Sequence, residues 1–398
     1  MSERPTMNKP MLPPAMREAL SLTRAGRVLD ATRAIQQALG AGAHAPSGDA
    51  GGEPAREALP PPTNTTSRSA RPRRPLGAVI AALREGRRGL DLPPLDLPPF
   101  PGGKPGEAPG RIPGATPAPL PAGARVEART HAGAAGSRRY KLYVPAAAAA
   151  RPRGLVLMLH GCTQDPDDFA AGTRMNAHAE AHGLLVAYPA QARGANPNLC
   201  WNWFSPEHQA RGAGEPEILA GLARALAAEF GVPDDRVFAA GLSAGGAMAA
   251  VLGQAYPELF AAIGVHSGLP AGAASDVVSA FAAMRGDGGG SVTPAERIPG
   301  TRTIVFHGSG DRTVHVSNAT RLADALHPGA AATPPEHGEA NGRRYRRVRV
   351  ADGPAAALEL WTIDGAPHAW SGGSPAGSYA DPAGPDASGE MVRFFMEA

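Results

Sequence analysis

The stretch that most constrains this chain is Arg236–Ala250, RVFAAGLSAGGAMAA. Val237–Ala240 is apolar and predicts a short buried strand. Gly241–Gly245 predicts a sharp turn, and the small residues behind it predict a helix. The turn spells G-x-S-x-G as Gly241-Leu242-Ser243-Ala244-Gly245. Between a strand and a helix, that pattern lifts a serine nucleophile onto a strained bend. The two glycines leave room for the bend. The helix points its free amides back at Ser243, which favours negative charge developing there. A glycine turn with a solvated serine is the plainer alternative.

A serine hydroxyl is a weak nucleophile until a base takes its proton, and the base needs a third group to orient it. On α/β-hydrolase sheets these follow in the order Ser, Asp, His. After Ser243 comes an apolar strand, Thr303–Phe306, and then His307-Gly308-Ser309-Gly310-Asp311. An acid just past a strand's C-terminal end lies where such sheets carry their sites, so Asp311 is the expected acid. Asp287 and Asp364 are the rivals. The next strand, Leu358–Ile363, leads into Asp364-Gly365-Ala366-Pro367-His368. His368 is the expected base, with His307, His315 and His337 as alternatives. The oxyanion hole needs two backbone amides. One is expected from Ala244, the other from Cys162 or Thr163 in the loop after an earlier strand. His160, at the head of that loop, reads as a brace.

The rest of the body, 124–398, alternates strands with helices. Tyr140–Val144 reads as an edge strand, and Gly154–Leu159 as a strand buried on both faces. Ala170–His182 and Glu217–Phe230 read as helices, with the strand Leu184–Tyr188 between them. Ala262–Val265 is a further strand, and helices are expected over Asn318–Leu326 and Met391–Met396. This pattern predicts a doubly wound, mostly parallel α/β sheet.

Residues 1–123 differ in composition. They hold 16 Lys/Arg against 10 Asp/Glu, +6, so the remainder carries −3 of the chain's net +3. A helix is expected over about 15–39, followed by a Pro/Gly/Arg-rich linker. Arg68–Arg88 has seven arginines but no interleaved aromatics, so it reads as solvated linker and no nucleic-acid partner is expected. No run of about 18 apolar residues predicts a membrane span, and no N-terminal apolar run reads as a signal peptide. A cytoplasmic location follows as the expectation, with an extracellular one as the alternative.

LHGCTQ (Leu159–Gln164), AYPAQ (Ala187–Gln191), CWNWF (Cys200–Phe204), RGAGEP (Arg211–Pro216), GLSAGGAMA (Gly241–Ala249) and HSG (His266–Gly268) occur in this order. Together they resemble the polyhydroxybutyrate (PHB) depolymerase family of esterases, whose relatives include feruloyl and acetylxylan esterases. The resemblance covers about 138–398. It implies an α/β-hydrolase fold and a serine carboxyl-ester hydrolase that needs no metal or cofactor, with Ser243, Asp311 and His368 as its triad. It also implies that Cys162 pairs with Cys200. Gln164, Trp201 and Trp203 are expected to contact substrate, the tryptophans as pocket walls or else as core. The expected substrate is a short-chain hydroxyacid polyester or its oligomers, with plant polysaccharide esters as the alternative. The arm would then meet a granule surface. A non-catalytic granule-binding protein is the alternative of another class.

Overall fold

The computed structural model describes residues 119–146, 151–287, 301–326, 332–352 and 355–397. The expected arm helix, the arginine run and nearly all of the linker lie outside these residues.

The described chain begins with an antiparallel pair, β1 (Arg125–Gly133) and β2 (Gly136–Val144). It continues through β3 (Gly154–Leu159), α1 (Pro166–Thr173), α2 (Met175–His182) and β4 (Leu184–Pro189). Next come α3 (Gly214–Phe230), β5 (Val237–Leu242), α4 (Ala244–Ala255), β6 (Ala262–His266) and α5 (Val277–Arg285). Then follow β7 (Arg302–Gly308), α6 (Ser317–Leu326), β8 (Glu336–Ala340), β9 (Arg343–Asp352) and β10 (Ala355–Ile363). A two-stranded ribbon, β11 (Trp370–Ser371) with β12 (Ala380–Asp381), precedes α7 (Ala387–Met396).

Ten strands form one sheet in the order β1-β2-β4-β3-β5-β6-β7-β10-β9-β8. The run from β4 to β10 is parallel, and antiparallel strands flank it on both sides. The strand period of two divides the core into two layers. Leu155, Leu157 and Leu159 of β3 face a layer that holds Leu219 and Leu222 of α3 and Met248 of α4. Val156 and Met158 face the other layer, with Phe169 of α1, Met175 of α2 and Phe395 of α7. Apolar helices on both faces make the sheet doubly wound.

Two expectations need correction. β2 is an inner strand, because β1 covers the edge that Tyr140–Val144 was expected to expose. The helix expected over Ala170–His182 is two helices, broken where Arg174 turns left-handed (φ 56°). The β8–β9 hairpin was not anticipated. Its ion pairs, Arg347 and Arg349 with Glu336, exist only once the two strands are in register. Among the described residues no helix is long and apolar enough to cross a membrane.

The elbow explains two glycines. A Cβ on Gly245 would lie 2.0 Å from the Leu159 carbonyl oxygen, and one on Gly241 would lie 2.4 Å from the Gly245 backbone. Gly194, by contrast, has nothing within 4 Å. Gly245→Ala is therefore expected to remove most soluble folded protein, while Gly194→Ala leaves yield and melting temperature close to wild type. A soluble Gly245→Ala protein with an unchanged melting curve would contradict the close crossing of β3 and the elbow.

Candidate active site

Ser243 caps α4 from a strained backbone position, φ 57° and ψ −120°. Its amide donates to the His266 carbonyl (2.9 Å), and its carbonyl accepts the first helical bond, from Ala247 (2.9 Å). Asp311 follows β7 and His368 follows β10, two adjacent parallel strands. The turns after these strands bring the two side chains together, with His368 Nδ1–H donating to Asp311 Oδ2 at 2.7 Å. The other carboxylate oxygen, Oδ1, accepts the amides of Thr313 (2.9 Å) and Val314 (2.8 Å). Burial opposes ionisation of Asp311, but the His368 hydrogen bond and charge, His307 and the Val314 amide outweigh it. The carboxyl is held below the ordinary aspartate range.

Of the rival candidates only His307 approaches the pair, its Nε2 3.5 Å from Asp311 Oδ2. His307 is buried and donates Nε2–H to the Val314 carbonyl (2.8 Å). His315 is bonded to Ser317, Asp287 pairs with Arg285, and Asp364 pairs with Arg344 on the surface.

In the loop after β3, Thr163 has already spent its amide on the Asn198 carbonyl (2.8 Å). The amides of Cys162 and Ala244 have no partner among the described residues. Cys162 and Cys200 are joined by a disulfide, Cα–Cα 4.2 Å, as the resemblance implied. Among the described residues no cluster of three or more His, Cys, Asp or Glu side chains is arranged to hold a metal ion.

The residues expected to touch substrate are buried, and the two tryptophans take the core alternative. Gln164 is buried; Oε1 accepts the Gly161 amide (2.9 Å), and Nε2 donates to Asp168 Oδ2 and the Ser378 carbonyl (both 3.0 Å). Trp201 is fully buried and donates to the His160 carbonyl (3.1 Å), and Trp203 packs in the same core layer. His160 braces as expected. It donates Nδ1–H to the Gly161 carbonyl (2.8 Å) and accepts the Gln191 amide on Nε2 (3.1 Å).

Other bracing residues were not anticipated. Glu215, buried at the start of α3, accepts from Arg138 (3.0 Å), Gln191 (2.5 Å) and both the amide and side chain of Asn202 (2.8 and 2.9 Å). It pins the CWNWF loop from below. Asp168 does the same for the loop after β11, accepting the Ser378 amide (2.9 Å) and hydroxyl. His266 ties the elbow to the histidine loop, since its Nε2 accepts the amide of Ser371, three residues past His368 (3.0 Å). A carboxylate followed by Pro, as in Glu215-Pro216, was the only available signal for the first of these, and nothing in it marks burial.

His266 is fully buried, and burial with the nearby His307 and His368 pushes its pKa down to about 3. Burial also lowers His160 and His307. Unfolded histidines take up protons near pH 6.5, so the unfolded chain binds more protons below that value and stability falls there. For His266 the loss reaches on the order of 3 kcal/mol by pH 4. Asp311 adds to it at lower pH, since its contribution disappears as pH falls through its depressed pKa. Melting temperature should therefore be flat above about pH 6.5 and fall below it. The fall should be shallower in His266→Gln, and equal slopes for the two proteins would exclude His266 as a source.

The disulfide closes a loop with a sequence separation of 38. The chain-entropy argument assigns about 4 kcal/mol to a loop of that size. The double variant Cys162→Ser/Cys200→Ser should melt well below wild type, and reductant should lower wild type towards it. A melting curve insensitive to both would show that the tether does not stabilise the fold.

A family profile described as "Esterase PHB depolymerase" matches residues 138–328. Poly(3-hydroxyalkanoate) depolymerase C of Paucimonas lemoignei is 31% identical over 228 residues, 54% of this chain and 54% of that protein. The probable acetylxylan esterase A of Aspergillus fumigatus is 30% identical over 193 residues, 44% of this chain and 51% of that protein. The chain thus spans about half the length of the curated relatives it matches. In fold it is similar to the solved acetyl xylan esterase of Aspergillus awamori, with TM-score 0.51 and 22% identity over 61% of this chain and 94% of that one. The sheet with its elbow is an α/β-hydrolase fold, and residues 138–328 are similar to the PHB depolymerase family of esterases.

Proposed function

We propose that this chain is a serine carboxyl-ester hydrolase that works through an acyl-enzyme on short-chain hydroxyacid polyester or its oligomers. The observation that carries the reading is the His368–Asp311 hydrogen bond of 2.7 Å on the same sheet end as the strained Ser243 elbow. With Nδ1–H held by Asp311, Nε2 of His368 is the nitrogen left to take the Ser243 proton as the hydroxyl attacks an ester carbonyl. The uncommitted amides of Ala244 and Cys162 receive the oxyanion. The alcohol leaves with the proton from His368, and water then releases the acid by the same route.

The acetylxylan esterases among the relatives support polysaccharide esters as the second reading. The disulfide favours an oxidising compartment over the cytoplasmic expectation. From its cationic, proline-rich composition we further propose that the segment 1–123 docks on a polyester granule.

Ser243→Ala should lower ester turnover by about 10⁶-fold, as loss of a triad nucleophile does elsewhere, with an unchanged melting curve. A serine-reactive phosphonate should give one adduct, at Ser243. Turnover of poly(3-hydroxybutyrate) oligomers, acetylxylan and methyl ferulate by the purified chain ranks the substrate readings. An adduct on another residue, or full turnover by the variant, would remove Ser243 from the chemistry.

A further inference from the structure

A small open cleft of about 200 Å³ adjoins His368. Residues 367–369 and 379–381 line it together with Arg343. No residue of the elbow or of the loop after β3 lines it. The cleft therefore adjoins the group that hands a proton to the departing alcohol. It is smaller than the roughly 300–1,000 Å³ of common ligand pockets, so it suits one short unit.

Tyr379 is the unusual member of this wall. It is a non-glycine residue at φ 50°, a conformation with a real steric cost that persists only where the surroundings over-determine it. They do so here. On one side Ser378 is fixed by Asp168. On the other, Ala380 pairs with Trp370 across the β11–β12 ribbon, and the Tyr379 carbonyl accepts the Trp370 amide (2.7 Å). The ring stands edge-on to the His368 imidazole, with centroids 6.3 Å apart. The hydroxyl reaches Thr163 Oγ1 in the loop after β3, but at 3.5 Å, the limit of a hydrogen bond. The phenol thus spans from the proton donor to the oxyanion loop with its O–H nearly uncommitted. At the far end of the cleft, Arg343 donates Nε–H to Asp381 Oδ2 (3.0 Å), with Nη2 2.8 Å from that oxygen, and Asp381 Oδ1 accepts the Ala383 amide (3.0 Å). The charges offset each other, so the cleft offers hydrogen bonds to a neutral polar unit without a net charge.

We propose that this cleft is the subsite for the alcohol side of the scissile ester, and that Tyr379 is its specificity-determining residue, donating its hydroxyl to the neighbouring ester carbonyl of a hydroxyacyl unit. The inference rests on the serine-esterase reading and adds to it a subsite and a residue. The strain at Tyr379 keeps the donor aimed before substrate arrives, which lowers the ordering cost of binding.

Acyl transfer tests this on a shared intermediate. p-Nitrophenyl butyrate loads Ser243 with a butyryl group. Water, or the hydroxyl of added methyl 3-hydroxybutyrate, then attacks the butyryl carbonyl and gives its proton to His368. The bond to Ser243 Oγ breaks, Oγ takes the proton from His368, and butyrate or methyl 3-butyryloxybutanoate leaves. The ratio of the two products is independent of how much enzyme is folded or how fast it acylates. Tyr379→Phe should lower the ester-to-acid ratio about threefold to tenfold, the weight of one hydrogen bond, with an unchanged melting curve. Methanol, which cannot reach the phenol, should show a smaller change in its own ratio. An unchanged ratio with methyl 3-hydroxybutyrate, or an equal fall with methanol, overturns the subsite while leaving the esterase reading intact. A methyl xyloside acceptor that partitions better than methyl 3-hydroxybutyrate overturns the hydroxyacyl assignment. Failure of the wild type to release nitrophenol or form a butyryl adduct overturns the esterase reading, and the subsite with it.

Discussion

The arrangement depends on one backbone crossing. The elbow between β5 and α4 passes so close to the end of β3 that no side chain fits at residue 245, where a Cβ would sit 2.0 Å from the Leu159 carbonyl oxygen. The crossing fixes where the loop after β3 emerges, and with it the amides of Cys162 and Ala244. It also forces Ser243 out of the ordinary backbone wells. The surrounding sheet is buried on both faces and is stiff enough to hold that strain. The helix layers on either face thus have a functional consequence, because they keep a high-energy turn in place.

Around the crossing, the loops are held by buried polar groups more than by apolar packing. Glu215 gathers Arg138, Gln191 and Asn202, while Asp168 gathers Gln164 and Ser378. His266 and the disulfide add two further ties. A buried carboxylate that satisfies several donors is costly to break, since removing one partner leaves a buried charge or an orphaned donor. Loops built this way can carry positioned amides without being strands or helices themselves.

The candidate residues picked from the sequence each follow an apolar strand, in a loop that contains glycine. Ser243, Asp311 and His368 follow β5, β7 and β10, and in the structure the last two are 2.7 Å apart. Apolar runs gave the parallel strands to within a few residues, because a strand buried on both faces has no polar alternative. What was illegible depended on neighbours distant in sequence. The split falls at Arg174, a residue that does not itself break helices, two positions past Gly172. Gln164, Trp201 and Trp203 looked available to substrate until the loops closed over them. Nothing local marks Glu215 or Asp168 as buried, or Tyr379 as left-handed. The partners of the β9 arginines lie across the hairpin and beneath it on Trp361.

The β8–β9 hairpin has a further consequence. A ten-stranded open sheet ends in two strands with unpaired backbone groups, and such edges recruit strands from other molecules. Here the outer strands are β8 and β1. β8 carries Glu336 within an arginine-rich ribbon, and β1 alternates Arg125, Glu127 and Arg129. A foreign strand added at either side would have to lie against this ion-pair lattice and desolvate it. Charge at both borders of the sheet thus raises the cost of strand addition there.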